Sequence, residues 1–241
     1  MTGAAKTSQK RYRLRIALIL LGILLFFIAL NVSSQAVGTL HELTRVEAER
    51  DQWQRPDDVL RALDLKPGNV VVDLGSGAGY FALKISKSVG GQGKVMAVDL
   101  RRLSLTFLWI RSRLQHLHNV STVVGASNDP HLDGTKVDAV LIANTYHELD
   151  NPKSILMQIC RSLRPDGRLV VVDRGPGFNP IKEGSESPDP HEIALSRVEG
   201  ELTAGGFSVM NIEHDFIDRP GDHWWLIVAQ KNQCVTMGEA L

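Results

Sequence analysis

Short apolar runs alternate with amphipathic stretches along most of the chain. Asn69 to Leu74 (NVVVDL), Lys94 to Leu100 (KVMAVDL), Val120 to Val124, Val137 to Ala143 and Arg168 to Asp173 are nearly continuous Val, Ile and Leu, the pattern of strands buried on both faces. Helical material lies between them. Ala78 to Val89 follows the first run. Leu103, Phe107, Ile110, Leu114 and Leu117 recur at intervals of four, three, four and three residues and put one apolar stripe on a second helix. A third, starting at Pro152, turns Ile155, Leu156, Ile159 and Leu163 inward. This alternation predicts a doubly wound α/β sheet built on parallel strands. The end of the chain differs: a helix over Ile193 to Ala204 leads to a strand over Phe207 to Ile217, the turn Asp218 to Asp222, and a strand over Trp224 to Gln230. So short a connection makes only a hairpin, which forces one strand antiparallel to its neighbour. No internal repeat is present, and Arg174 to Pro190, rich in Pro, Gly and Ser, reads as a long loop over the site.

Ahead of this body, residues 1–15 carry Lys6, Lys10, Arg11, Arg13 and Arg15 and no acid, and Ile16 to Val32 (IALILLGILLFFIALNV) carries no charge at all. Seventeen helical residues reach about 25 Å, against a hydrocarbon core of about 30 Å, so the segment is read as a transmembrane anchor or the core of a signal peptide cleaved near Ala36, with the anchor favoured. Basic residues before the apolar run orient its N-terminus to the cytoplasm and the body to the extracytoplasmic side, periplasmic if tethered and secreted if cleaved. Residues 33–52 read as a linker or short exposed helix, 53–231 as the body and 232–241 as a tail.

Composition narrows the function. The 241 residues carry 27 Lys+Arg against 27 Asp+Glu, but without the first five bases the remainder is net −5, so nucleic-acid phosphate is not the expected partner. Cys160 and Cys234 are the only cysteines, too few for a disulfide scaffold or a structural zinc site, and Cys160, beside its helix's buried stripe, is read as a packing residue. No cluster suggests a metal, and the pattern leaves the oligomeric state open.

The sharpest motif is Val70-Val-Val-Asp-Leu-Gly75-Ser-Gly77-Ala-Gly79-Tyr80, three glycines between a strand and a helix. Such a loop lets backbone lie against a ligand, and the helix start beyond it offers unpaired N–H groups. Asp99, at the next strand tip, is spaced to accept both hydroxyl protons of a ribose. Together they specify a nucleoside-bearing cofactor. Gly77-Ala-Gly79-Tyr-Phe-Ala82 also fits the GxGxxA form of a dinucleotide site, keeping an NAD(P)-dependent oxidoreductase as an alternative. Asp73 favours another answer, since a carboxylate there repels pyrophosphate and suits a cationic amino-acid end.

Val71 to Gly79 resembles the first motif of class I S-adenosylmethionine-dependent methyltransferases. Asp99, Val137 to Asn144 with Tyr146-His147-Glu148, and Leu163 to Asp173 resemble later segments of the same family, over roughly Trp53 to Lys231 and most closely its exported-looking bacterial members of unassigned substrate. The resemblance implies a Rossmann-like sheet of seven strands in the order 3-2-1-4-5-7-6. It also implies cofactor contacts from Asp73, Gly75, Gly77, Gly79 and Asp99, with Asn128 or Asp129 toward the adenine and Asn144 at the fourth strand tip.

Methyl transfer from a sulfonium is a direct displacement, so the protein aligns the acceptor, excludes water and in some cases removes a proton. His147 and Tyr146 are the candidates for that chemistry, with Glu148, Asp173 and Arg174 nearby; the alternative for His147 is a residue lining the cofactor pocket. His191-Glu192 and His223-Trp224-Trp225 could cover an acceptor, although the latter suits the start of a strand. Asn144-Thr-Tyr-His lacks the Asn-Pro-Pro-Tyr pattern of nucleic-acid amino methylation. The expectation is a methyltransferase acting on a small or lipid-like acceptor, with a non-catalytic nucleoside-cofactor-binding domain as a further alternative.

Overall fold

The structure, a computed structural model, describes residues 3–176 and 189–234. The middle of the loop read at Arg174 to Pro190 and the end of the tail lie outside the described residues. Seven strands form one sheet: β1 (Val70–Leu74), β2 (Lys94–Asp99), β3 (Val120–Val124), β4 (Val137–Ala143), β5 (Leu163–Arg174), β6 (Phe207–Arg219) and β7 (Asp222–Lys231). Their order is 3-2-1-4-5-7-6, as the resemblance implies. The first five run parallel, and β7 is antiparallel to both β5 and β6. The hairpin turn is tighter than the sequence suggests, because β6 and β7 extend to Pro220-Gly221, where Gly221 takes φ +74°. β5 begins at Leu163, yet its register against β4 jumps from Leu163 to Arg168. The Pro-containing turn is thus absorbed as an irregularity in the strand.

Alternate residues of each strand face opposite sides of the sheet, giving two cores. On one side α2 (Pro56–Ala62), α3 (Tyr80–Val89) and α4 (Arg102–Leu114) pack over Val71, Ala97 and Leu141; on the other α5 (Pro152–Ser162) and α6 (Leu195–Ala204) pack over Val72, Val98 and Ile142. α5 opens on Asn151, whose side chain accepts from the Ser154 N–H, with Pro152 at the first helical position. Its Ile155, Leu156 and Ile159 are buried.

α4 does not follow its apolar stripe. Leu103 and Leu114 are 70% and 66% exposed, Phe107 and Ile110 are half-buried, and Leu117 lies past the helix end, packed against the core. The buried face is Leu105, Leu108, Arg111 and Ser112. Two contacts fix that rotation. A Cβ on Gly79 would stand 2.2 Å from Leu108 Cδ1, so the helix rests on the glycine, and Arg111 Nη1 donates to the Ala78 carbonyl at 2.5 Å.

Residues 1–49 form a unit separate from 50–241. α1 spans Gly3–Asp51, 49 residues in one helix, so residues 33–51 are helical, the second of the two readings, and continuous with the segment before them. Arg45 pairs with Glu42 and Glu49 along this stretch, and no proline interrupts it. Leu18 to Ile28 are exposed on every side. Among the described residues no helix is long and apolar enough to cross a membrane; the side chains at 16, 17, 29 and 32 of the apolar run, and those of the basic run before it, lie outside the described set.

Cys160 is not simply a packing residue: it is disulfide-bonded to Cys234, with a Cα–Cα distance of 5.7 Å. After β7 the chain turns back, the Asn232 N–H donates to the Gly206 carbonyl at 3.0 Å, and Gln233 passes so close to Gly206 that a Cβ there would meet its carbonyl oxygen at 2.1 Å. That return brings Cys234 onto α5, a proximity that only the assembled sheet creates.

Candidate functional site

A cleft opens at the C-terminal ends of β1, β2 and β4, where the strand order reverses and ligands of open α/β sheets bind. Leu74, Gly75, Asp99, Leu100, Thr145 and Glu148 are among the residues lining it. The three glycines serve different ends. All have positive φ, but a Cβ on Gly75 would strike Thr145 and one on Gly79 would strike Leu108, whereas one on Gly77 would meet nothing within 4 Å. Gly77 therefore faces open space that a ligand can enter.

The loop is tied to the strand tip that the sequence singled out. Gly77 N–H donates to Asp99 Oδ2 at 2.8 Å, and Asp99 Oδ1 accepts from the Arg101 backbone N–H at 2.8 Å and from its Nε at 3.3 Å. Asp99 is buried and oriented before any ligand arrives, with a lone pair on Oδ2 left for a hydroxyl. Leu100, exposed beside it, offers an apolar surface suited to a base ring.

Behind the loop three buried polar atoms have no partner among the described residues: Asp73 Oδ2, Ser76 Oγ and Gln54 Nε2. Burial pushes the Asp73 carboxyl up to about 7; the Ala82 amide opposes this, the charge of Asp99 adds to it, and Arg50 opposes it. Gln54 Oε1 accepts from Arg50 Nε at 2.6 Å, and the Arg50 guanidinium lies 3.9 Å from the centre of the Tyr80 ring at the start of α3. Orphaned buried groups are costly and call for a partner. A carboxylate, a hydroxyl and an amide N–H together complement the ammonium and carboxylate of an amino-acid end, so the residues present fit S-adenosylmethionine. Ser76 and Gln54 escaped the sequence reading: one hides among glycines, and the other precedes the first strand with no motif around it.

The remaining predicted residues scatter. The stretch after β3 lines the cleft through Gly125, Ala126, Ser127 and Pro130 rather than Asn128 and Asp129. The Asn128 carbonyl instead accepts from Ser154 and Gln158, and Asp129 Oδ1 from the His131 N–H. Asn144 is exposed at φ +53°, its N–H bonded to the Val172 carbonyl at 2.7 Å. Tyr146 is buried, its hydroxyl donating to Glu201 Oε2 at 2.7 Å on α6; burial and then Glu201 push its pKa upward, which removes it as a proton acceptor.

His147 is not among the residues lining the cleft, and its side chain is nearly buried beside Glu148 and Leu149, which are. Its Nδ1 lies 2.8 Å from Asp173 Oδ1, its backbone N–H donates to Asp173 Oδ2 at 3.2 Å, and Asp173 is fully buried at the end of β5. With Nδ1–H on the carboxylate, Nε2 is the acceptor nitrogen of the neutral ring. The bond to Asp173 raises the His147 pKa, burial opposes this, the charges of Asp173 and then Glu148 add to it, and Arg174 opposes it. The His191 ring stands edge-on at 5.7 Å. His223 pairs with Asp215 and Asp218, while Trp224 and Trp225 are buried in the two opposite cores. Among the described residues no group of three or more His, Cys, Asp or Glu side chains is placed to hold a metal ion.

Residues 65–207 match the family described as a methyltransferase domain. A demethylmenaquinone methyltransferase of Shouchella clausii is 23% identical over 133 residues, 55% of this chain and 56% of that protein. The ubiquinone/menaquinone biosynthesis C-methyltransferase UbiE of Haemophilus ducreyi is 31% identical over 124 residues, 49% and 47% of the two chains. The chain thus spans about half the length of these curated relatives. A SAM-dependent methyltransferase structure from Aquifex aeolicus superposes with a TM-score of 0.64 at 25% identity, covering 79% of this chain and 97% of that one.

Proposed function

The chain belongs to the methyltransferase-domain family, of the class I S-adenosylmethionine-dependent kind, and from that premise we propose that it transfers the cofactor's methyl group to a small, lipid-like acceptor bearing a phenolic hydroxyl, such as a hydroquinone. Family membership replaces the dinucleotide alternative. The observation that carries the proposal is the 2.8 Å bond from Gly77 to Asp99, which holds loop and strand tip ready for a ribose. Bound there, S-adenosylmethionine would supply an electrophilic methyl group. Asp73, Ser76 and Gln54 would hold its amino-acid end, and Leu100 its base. The acceptor class is supported by the apolar Leu149 and Ile155 in the cleft wall and by the quinone-modifying relatives. His147 Nε2 would take the acceptor's proton, with Asp173 as the positioning residue that fixes the tautomer.

Calorimetric titration tests the cofactor half. Asp99→Asn is expected to weaken S-adenosylmethionine binding by about ten- to a hundredfold, roughly 1.5–3 kcal/mol for charge-assisted hydrogen bonds; an unchanged dissociation constant would remove Asp99 from the site. The pH profile tests the proton. His147 must be neutral to accept it, and its pKa is raised, so kcat should climb as pH passes upward through that raised value. Asp173→Asn removes the largest cause of the shift and should move the inflection toward acid while lowering the plateau. Superimposable profiles of the two proteins would sink the role of His147.

We also propose that the body lies on the extracytoplasmic side, tethered through residues 16–32 or released after Ala36. The charge asymmetry around the apolar run supports this, and so does the Cys160–Cys234 bond, since disulfides persist in oxidising compartments. A C-terminal reporter active in the cytoplasm would overturn it.

A further inference from the structure

The outward stripe of α4 has no explanation in the cofactor cleft. At 100° per residue Leu103, Phe107, Ile110 and Leu114 fall within about 60° of arc, an apolar ridge about 16 Å long facing away from the sheet. Trp109, Arg102 and Arg113 are exposed along one flank, the Arg113 guanidinium 5.7 Å from the centre of the Trp109 ring. Residues 100–128 contain four arginines and no Asp or Glu, in a body that is otherwise net acidic. Arg111 of the four is buried against Ala78; the other three are exposed.

An apolar ridge flanked by arginines and an indole is the composition of a helix lying in a lipid–water interface, with aliphatic side chains in the acyl boundary and guanidinium groups at the headgroups. Arg101 is taken up by Asp99, but Arg102 and Arg113 have no acid within residues 100–128 to offset them, and their charge selects anionic lipid. We propose that α4 docks the body on an anionic membrane surface. The placement has a use, because Leu100 and Arg101, immediately before the helix, line the cleft. Docking through α4 brings the mouth of the cleft to the interface, where a lipid-like acceptor partitions. The docking itself does not depend on the methyl-transfer reading, since it rests on the helix face alone.

Both native cysteines are in the disulfide, so a thiol introduced by Leu103→Cys or Leu114→Cys is uniquely available for a nitroxide label. The full chain carrying either label, or a control label from Lys153→Cys on α5 across the sheet, is reconstituted in phosphatidylcholine/phosphatidylglycerol vesicles and in phosphatidylcholine alone. Relaxation by oxygen and by a water-soluble nickel chelate is then measured. In the anionic vesicles the ratio of oxygen to nickel accessibility should rise severalfold at 103 and 114 and stay flat at 153. Arg102→Glu with Arg113→Glu should abolish the rise. Three results would overturn the proposal: labels at 103 and 114 as water-accessible as that at 153 while the chain floats with the vesicles, an equal rise in neutral lipid, or dipolar broadening removed by unlabelled chain, which would assign the ridge to a second copy. S-adenosylmethionine binding, followed in the same samples, reports on the cleft separately.

Discussion

α4 and α5 lie on opposite faces of the same sheet, and both announce an apolar stripe in the sequence. In α5 the stripe is the buried face; in α4 it is the exposed one. Periodicity locates an apolar face but does not name what covers it. For α5 the cover is the sheet and α6. For α4 the sheet takes another face, because Leu108 must sit over Gly79 and Arg111 must reach Ala78, both more than twenty residues upstream.

The difference can be broken or sharpened by substitution. The largest effect is expected in α5, where Leu156→Ala removes a fully buried side chain and should cost about 2–5 kcal/mol in urea unfolding. Next is the seat of α4. Gly79→Ala would put a methyl group against Leu108 at φ +96°, with an expected loss of about 1–3 kcal/mol, and Leu108→Ala in the same chain should recover part of the steric portion. Smallest is the ridge: Leu103→Ala, measured in detergent, should change stability by less than about 0.5 kcal/mol. A loss at Leu103 matching that at Leu156 would mean that protein covers the ridge in solution and would erase the contrast.

The parts of the molecule that were legible in the sequence are those whose determinants are contiguous. The five parallel strands each carry a short, mostly apolar run rich in Val, Ile and Leu, the hairpin is fixed by a short connection, and the glycine loop and Asp99 are spaced by one βαβ unit. What was not legible depends on residues that meet only across the sheet. Cys160 and Cys234 are 74 positions apart. Tyr146 and His147 are neighbours in sequence, yet the backbone turn after β4 sends one to the half-buried Glu201 on α6 and the other to the buried Asp173. Gln54 is buried behind the glycine loop, its Oε1 on Arg50, a placement that no local pattern encodes.

The position of β7 also dictates an order of events. It is the last of the seven described strands in chain order but occupies an interior place between β5 and β6. Until residues 222–231 arrive, β5 presents an unpaired edge on which another chain could add a strand. Over the same interval the Cys160 thiol, already made, has no native partner. The finished hairpin is what holds Cys234 against Cys160, so a chain that stops before β7 exposes a sticky edge and an unpaired thiol together.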